Sequence, residues 1–126
     1  MKKLLLLIAL FGAFLTGGAW AADVFPGAVH FETGKKDISA EGAKVIEAIA
    51  AEMKAKADVK VDVSGFTDQQ GDTDANMVLA KERATAVRDA LKAAGVAEDR
   101  IELKKPEQMT GSGDAAQARR VEVALQ

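Results

Sequence analysis

The chain has no cysteine and no tyrosine, and its 126 residues include one tryptophan, one histidine and two prolines. Without cysteine there can be no disulfide, no thiolate nucleophile or metal ligand, and no lipid-modified N-terminal cysteine. The single histidine, His30, lies in a run that reads as a strand, with no serine visibly beside it. It supports neither a nucleophilic triad nor a histidine-rich metal site. Hydrolysis by carboxylates alone needs a defined pair of acids, and no spacing here selects one. The expectation is a protein without enzyme activity, cofactor or metal.

What is present begins with a leader. Lys2-Lys3, the apolar run Leu4 to Leu15 and the small-residue end Ala19-Trp20-Ala21 have the order of a secretory signal peptide. Cleavage is predicted after Ala21, making residues 1–21 the leader. The apolar run is shorter than the ~20 residues that cross a bilayer, so a retained anchor is the weaker alternative. The expected mature protein is periplasmic and not lipidated. Loss of residues 1–21 changes the formal charge from −2 to −4, with 15 basic against 19 acidic residues. That balance argues against a nucleic-acid partner. Trp20 leaves with the leader, so Phe25, Phe31 and Phe66 are the remaining aromatics, too few for a stacking platform.

The remaining 105 residues suit one domain with one core. Residues 22–27 form a short lead-in closed by the turn dipeptide Pro26-Gly27, and residues 28–125 form the domain. Ala28 to Glu32 reads as a strand, and Thr33 to Asp37 as a loop. Ser39 is the N-cap of a helix running to about Lys56, with Val45, Ile46, Ile49 and Met53 on its buried face. Val59, Val61 and Val63 alternate with Lys60, Asp62 and Ser64 as a half-buried strand requires. A second helix spans about Asp74 to Ala94, stopped by Gly95. Ile101 and Leu103 alternate in a third strand, Pro106 opens a loop containing Gly111-Ser112-Gly113, and Val121, Val123 and Leu125 alternate in the last strand. The order strand, helix, strand, helix, strand, strand predicts an α/β two-layer sandwich, with two helices on one face of a four-stranded mixed sheet.

One residue breaks the pattern of the second helix. At roughly 100° per residue, Leu79, Ala80, Ala84, Val87, Ala90, Leu91 and Ala94 form an apolar stripe, and Arg83 projects within it between Leu79 and Val87. Asn76 lies on nearly the same line two turns earlier, with the small Ala80 beside it, so these residues outline a polar notch. A cation turned toward a core is costly unless an anion meets it. The nearest unexplained anion is Asp68, in the loop between the second strand and this helix. Each residue also has a plainer role. Asp68 can cap a turn, Arg83 can snorkel to water or form a salt bridge of the fold, Asn76 can start the helix, and Arg119 and Arg120 can end a solvated strand. Asp68, Asp72 and Asp74 lack the ligand ladder and terminal glutamate of a calcium loop.

The run Gly65-Phe66-Thr67-Asp68-Gln69-Gln70-Gly71, followed by Asn76, Leu79, Arg83-Ala84 and Val87, with Arg119-Arg120-Val121-Glu122-Val123 near the end, resembles the OmpA-like peptidoglycan-binding domain family. This is the domain at the C-terminus of outer-membrane protein A and in the peptidoglycan-associated lipoprotein. The resemblance covers roughly residues 28 to 125 and implies a cell-envelope protein, associated with the outer membrane, that binds peptidoglycan through meso-diaminopimelate. The uncrosslinked end of that residue is a zwitterion, which needs a fixed anion and a fixed cation. The resemblance assigns these roles to Asp68 for the ammonium and Arg83 for the carboxylate, fifteen positions apart, where a guanidinium offers a planar two-donor fork. It adds Asn76 as a pocket residue, Thr33 and Gly34 as the opposite wall, and Arg119 and Arg120 as supports. The N-terminus of the second helix is expected nearby, offering backbone N–H groups to an anion.

Three departures from the family pattern stand out. Gly34 replaces a frequent asparagine, Ala80 a frequent serine, and Lys104-Lys105-Pro106-Glu107-Gln108 a glycine-containing run. If Arg83 serves only the ligand, Arg83→Met is expected to leave stability unchanged or raised. The rival expectation is a structural or adaptor protein of the same fold that binds a protein partner, through the sheet edge or the Lys104 to Gly113 loop.

Overall fold

The computed structural model describes residues 24–67, 72–108 and 118–126. The leader, Asp68 and Gly111-Ser112-Gly113 lie outside the described residues. In chain order the elements are β1 (Gly27–His30), α1 (Ala40–Ala55), β2 (Val61–Thr67), α2 (Thr73–Ala93), a 3-10 turn (Glu98–Arg100), β3 (Ile101–Leu103), β4 (Glu107–Gln108) and β5 (Arg120–Leu125).

Both helices start and stop where local chemistry requires. Ser39 caps α1, its Oγ accepting from the Gly42 N–H at 3.1 Å. Asp72 caps α2, its Oδ1 accepting from the Asp74 N–H at 3.0 Å. At the far end of α2, Gly95 takes φ 106°. The Gly95 N–H then reaches the Lys92 carbonyl and the Val96 N–H reaches the Leu91 carbonyl, each at 3.0 Å. This paired C-terminal motif satisfies carbonyls that the helix would otherwise leave open.

The sheet order is β1-β5-β2-β3. β5 is antiparallel to both β1 and β2, and β2 is parallel to β3. The sheet is therefore mixed and four-stranded, with both helices on one face, as expected from the sequence. It carries one addition, because β4 pairs in parallel with the last residues of β2. Val61 faces Ile101, but Phe66 faces Glu107. The edge segment therefore gains one residue between β3 and β4, a bulge at residues 104–106. Pro106 fits there because a bulge does not need every ladder donor.

Val61, Val63, Val121, Val123 and Val29 meet Ile46, Ile49, Met53, Ala84, Val87 and Leu91 in one cluster. Each large side chain so buried contributes on the order of 1.5–3 kcal/mol. Two differences from the expected elements have physical causes. Val59 lies outside β2, because its N–H closes a turn on the Lys56 carbonyl at 3.1 Å and its own carbonyl accepts from Arg100 Nε at 2.9 Å. β2 instead runs on through Gly65 and Thr67, which are buried on the helix side. A Cβ at Gly65 would collide with the Ala80 carbonyl, so glycine is what lets α2 lie this close to β2. Among the described residues no helix is long and apolar enough to cross a membrane.

Candidate functional site

Arg83 is 2% exposed, the one charged side chain among the buried residues described. Its Nε donates to the Lys35 carbonyl at 2.7 Å and its Nη2 to the Glu32 carbonyl at 3.0 Å. The guanidinium carbon lies 5.2 Å from the centroid of the Phe31 ring, within cation–π range. The cation in the apolar stripe is thus met by backbone dipoles and an aromatic face. Nothing in the sequence marks a carbonyl oxygen as a partner, since every residue has one.

Those two carbonyls bracket the expected opposite wall. Residues 32–35 form a turn closed by the Lys35 N–H on the Glu32 carbonyl at 3.0 Å, with the exposed Thr33 and Gly34 between them. Gly34 has φ 72°, a left-handed conformation that glycine adopts freely and asparagine tolerates. Glycine here therefore keeps the backbone shape and gives up only a side chain. Arg119 fastens the same segment from the sheet side. Its Nε donates to the Phe31 carbonyl at 3.3 Å, while the Phe31 N–H donates to the Arg119 carbonyl at 2.9 Å. Two arginines, 36 positions apart in sequence, hold one five-residue stretch.

Asn76 is half-buried in the first turn of α2, its N–H bonded to the Asp72 carbonyl at 2.9 Å. The seven residues separating it from Arg83 correspond to about 10 Å along the helix. At the helix N-terminus one of the open N–H groups, that of Asp74, is already taken by the Asp72 carboxylate. That carboxylate complements the positive end of the helix dipole.

Arg120 lies apart from this group. Strand alternation puts it on the helix-free face, where its Nε and Nη2 both reach Glu122 Oε2 at 2.9 Å. Its guanidinium carbon stands 4.3 Å from the Phe66 ring centroid. Thr33, Gly34, Arg83 and Arg119 are brought together, Asn76 shares the Arg83 helix, Arg120 is on the other face, and Asp68 lies outside the described residues.

Arg100 is a further clamp that the sequence did not single out. Its Nε and Nη2 donate to the carbonyls of Val59 (2.9 Å) and Lys56 (2.7 Å), pinning the α1–β2 turn at the opposite end of β2 from Thr67. An arginine beside a short acidic turn has no sequence signal for such a clamp.

Residues 30–122 match the OmpA family. Curated relatives include the probable lipoprotein YiaD of Escherichia coli (strain K12), 33% identical, with 79% of this chain and 48% of that protein covered. The peptidoglycan-associated lipoprotein of Haemophilus influenzae is 38% identical over 54% of this chain and 44% of its own length. The chain spans about half the length of these relatives. Among solved structures, the peptidoglycan-associated lipoprotein from Burkholderia pseudomallei superimposes with a TM-score of 0.70 at 25% identity, over 79% of this chain and 89% of that one. The OmpA-like domain of FopA1 from Francisella tularensis gives 0.68 at 25% identity, over 79% and 72%. With the fold and the match over residues 30–122 in agreement, this chain belongs to the OmpA family.

Proposed function

We propose that this chain binds peptidoglycan noncovalently in the periplasm, and that it does so through the free end of meso-diaminopimelate. Relatives named as peptidoglycan-associated lipoproteins support the general part of this reading. The observation that carries the finer part is the fixing of Arg83 by the Glu32 and Lys35 carbonyls. A cation held rigid in a dry setting is preorganised for a carboxylate and loses little entropy on binding. Asp68, next in sequence after Thr67 at the end of β2, is the residue assigned to the ammonium. Asp72, one turn from Asn76, adds negative charge on that side. The zwitterion is thereby oriented, with its ammonium toward Asp68 and Asp72 and its carboxylate toward Arg83. Thr33 and Gly34 form the facing wall, Asn76 offers an amide, and Arg119 keeps the wall in place.

Binding of this kind makes no or breaks no covalent bond, so the chain acts as a wall-binding module without catalysis. The leader supports export, and the absence of cysteine supports a protein that is not lipidated. A second reading draws on the same burial. With 2% exposure and two carbonyl partners, Arg83 is also a staple of the fold, and an adaptor that binds a protein partner could retain it for that reason alone. Co-sedimentation with purified sacculi separates the two readings. Pelleting that free meso-diaminopimelate competes away supports the first, and a protein that stays in the supernatant supports the second.

A further inference from the structure

On the flank of α2 turned away from Arg83, Lys81 and Ala84 face Leu103, Lys104, Lys105 and Pro106 across an open cleft of about 210 Å³. The one-residue bulge between β3 and β4 builds its far wall. The Lys104 N–H still bonds the Val63 carbonyl at 2.9 Å, after which the chain leaves the ladder and returns at Glu107. Leu103 and Pro106 supply apolar surface above the buried Ala84, and three lysines supply charge. Lys104 is paired with Glu102 at 3.3 Å. Lys81 and Lys105 form no ion pair among the described residues. Three cations line one small cleft in a chain whose formal charge is −2, so the cleft is electrostatically suited to an anionic partner that the rest of the surface disfavours.

We propose that this cleft takes a free carboxylate of the peptidoglycan stem peptide together with a neighbouring alanine methyl. This rests on the peptidoglycan reading above and extends it to a second contact. The stem joins its D-glutamate through the side chain, which leaves an α-carboxylate free beside an alanine, and that pairing of charge with a small apolar group matches lysines around an apolar floor. Position agrees with chemistry. β4 follows Pro106 directly and pairs with Phe66 and Thr67, the last residues of β2, so the cleft opens at the same end of the sheet as the diaminopimelate site.

The test titrates free meso-diaminopimelate and the tripeptide L-Ala-γ-D-Glu-meso-diaminopimelate into the wild type and the double variant Lys81→Gln/Lys105→Gln. Exposed lysine changes of this kind leave the fold essentially intact. The variant is expected to bind free diaminopimelate like the wild type, but the tripeptide roughly three- to tenfold more weakly at low salt, as expected for two exposed charge pairs. Raising the salt should close that gap. Equal tripeptide affinity for the two proteins would overturn the proposal and leave the cleft to an acidic protein partner. Equal losses for both ligands would overturn it as well, since the lysines would then act only as a diffuse field. If neither protein bound free diaminopimelate but the tripeptide still weakened in the variant, the cleft would stand and the diaminopimelate reading would fall.

Discussion

Arg83 and Lys35 are joined across 48 positions of sequence by a hydrogen bond of 2.7 Å from the Arg83 Nε to the Lys35 carbonyl. With the companion bond to Glu32 at 3.0 Å, it ties the middle of α2 to the loop after β1. The side chain proposed to hold the ligand's carboxylate thus also holds the wall of its own pocket.

This reverses the stability expected for Arg83→Met. The apolar side chain suits the helical stripe, but two partly buried carbonyls lose their donor, at about 1–3 kcal/mol each. Chemical denaturation should show a loss of about 2–5 kcal/mol, accompanied by loss of ligand binding. Arg83→Lys, a point charge without the planar fork, should recover part of the stability and little of the binding. Unchanged stability in Arg83→Met would mean that the two carbonyl bonds contribute nothing net.

Arg100 offers the complementary case. Arg100→Ala removes the donors to Val59 and Lys56 at the end of β2 remote from the site. A loss of about 1–3 kcal/mol in denaturation is expected, with ligand affinity retained at temperatures where the variant is folded. A drop in affinity equal to that of the Arg83 variants would show that binding follows global stability alone.

The close approach of Gly65 and Ala80 gives a third expectation. In Gly65→Ala the new Cβ meets the Ala80 carbonyl, and the helix must move away from β2. Overpacking of this kind costs about 1–3 kcal/mol. The same shift displaces Arg83 and Asn76, so binding should weaken beyond what the lost stability explains. A neutral Gly65→Ala would contradict the packing described.

The helices and the core-facing valines were legible in the sequence because their causes are local. Ser39 is a cap residue, Gly95 is a stop, and valine alternation requires only a pleated strand; the Asp72 cap of α2 came from the structure. Arg83 was legible as an anomaly for the same reason, since a charge in an apolar stripe is visible from periodicity. Its partners were not, because carbonyl oxygens carry no residue signature and Glu32 and Lys35 lie about fifty positions away. β4 was hidden too. A two-residue strand after a proline has no periodicity of its own and exists only through its pairing with Phe66 and Thr67. The turning of Arg120 away from the helices follows from its alternation with Val121 and Val123, but the fastening of Arg119 on the Phe31 carbonyl depends on the pairing of β1 with β5, which the sequence alone does not set.

Export is expected to leave a spectroscopic mark. Cleavage after Ala21 removes Trp20 from a chain without tyrosine, so protein purified from the periplasm should show almost no absorbance at the tryptophan and tyrosine wavelengths. A full tryptophan signal would place cleavage earlier or rule it out.

The most direct measurement is a titration of free meso-diaminopimelate into the purified protein, followed residue by residue by NMR, for the wild type and for Asp68→Asn. That substitution keeps the size of the side chain and removes the charge proposed to pair with the ligand's ammonium. Saturable shifts are expected in the wild type around Thr33, Gly34, Asn76 and Arg83. A charge-assisted hydrogen bond contributes on the order of 1.5–3 kcal/mol, so affinity should fall roughly 10- to 100-fold in Asp68→Asn while the rest of the spectrum is retained. A wild type that shows no saturable shifts, or an Asp68→Asn variant that binds equally well, would contradict the assignment of this site to diaminopimelate.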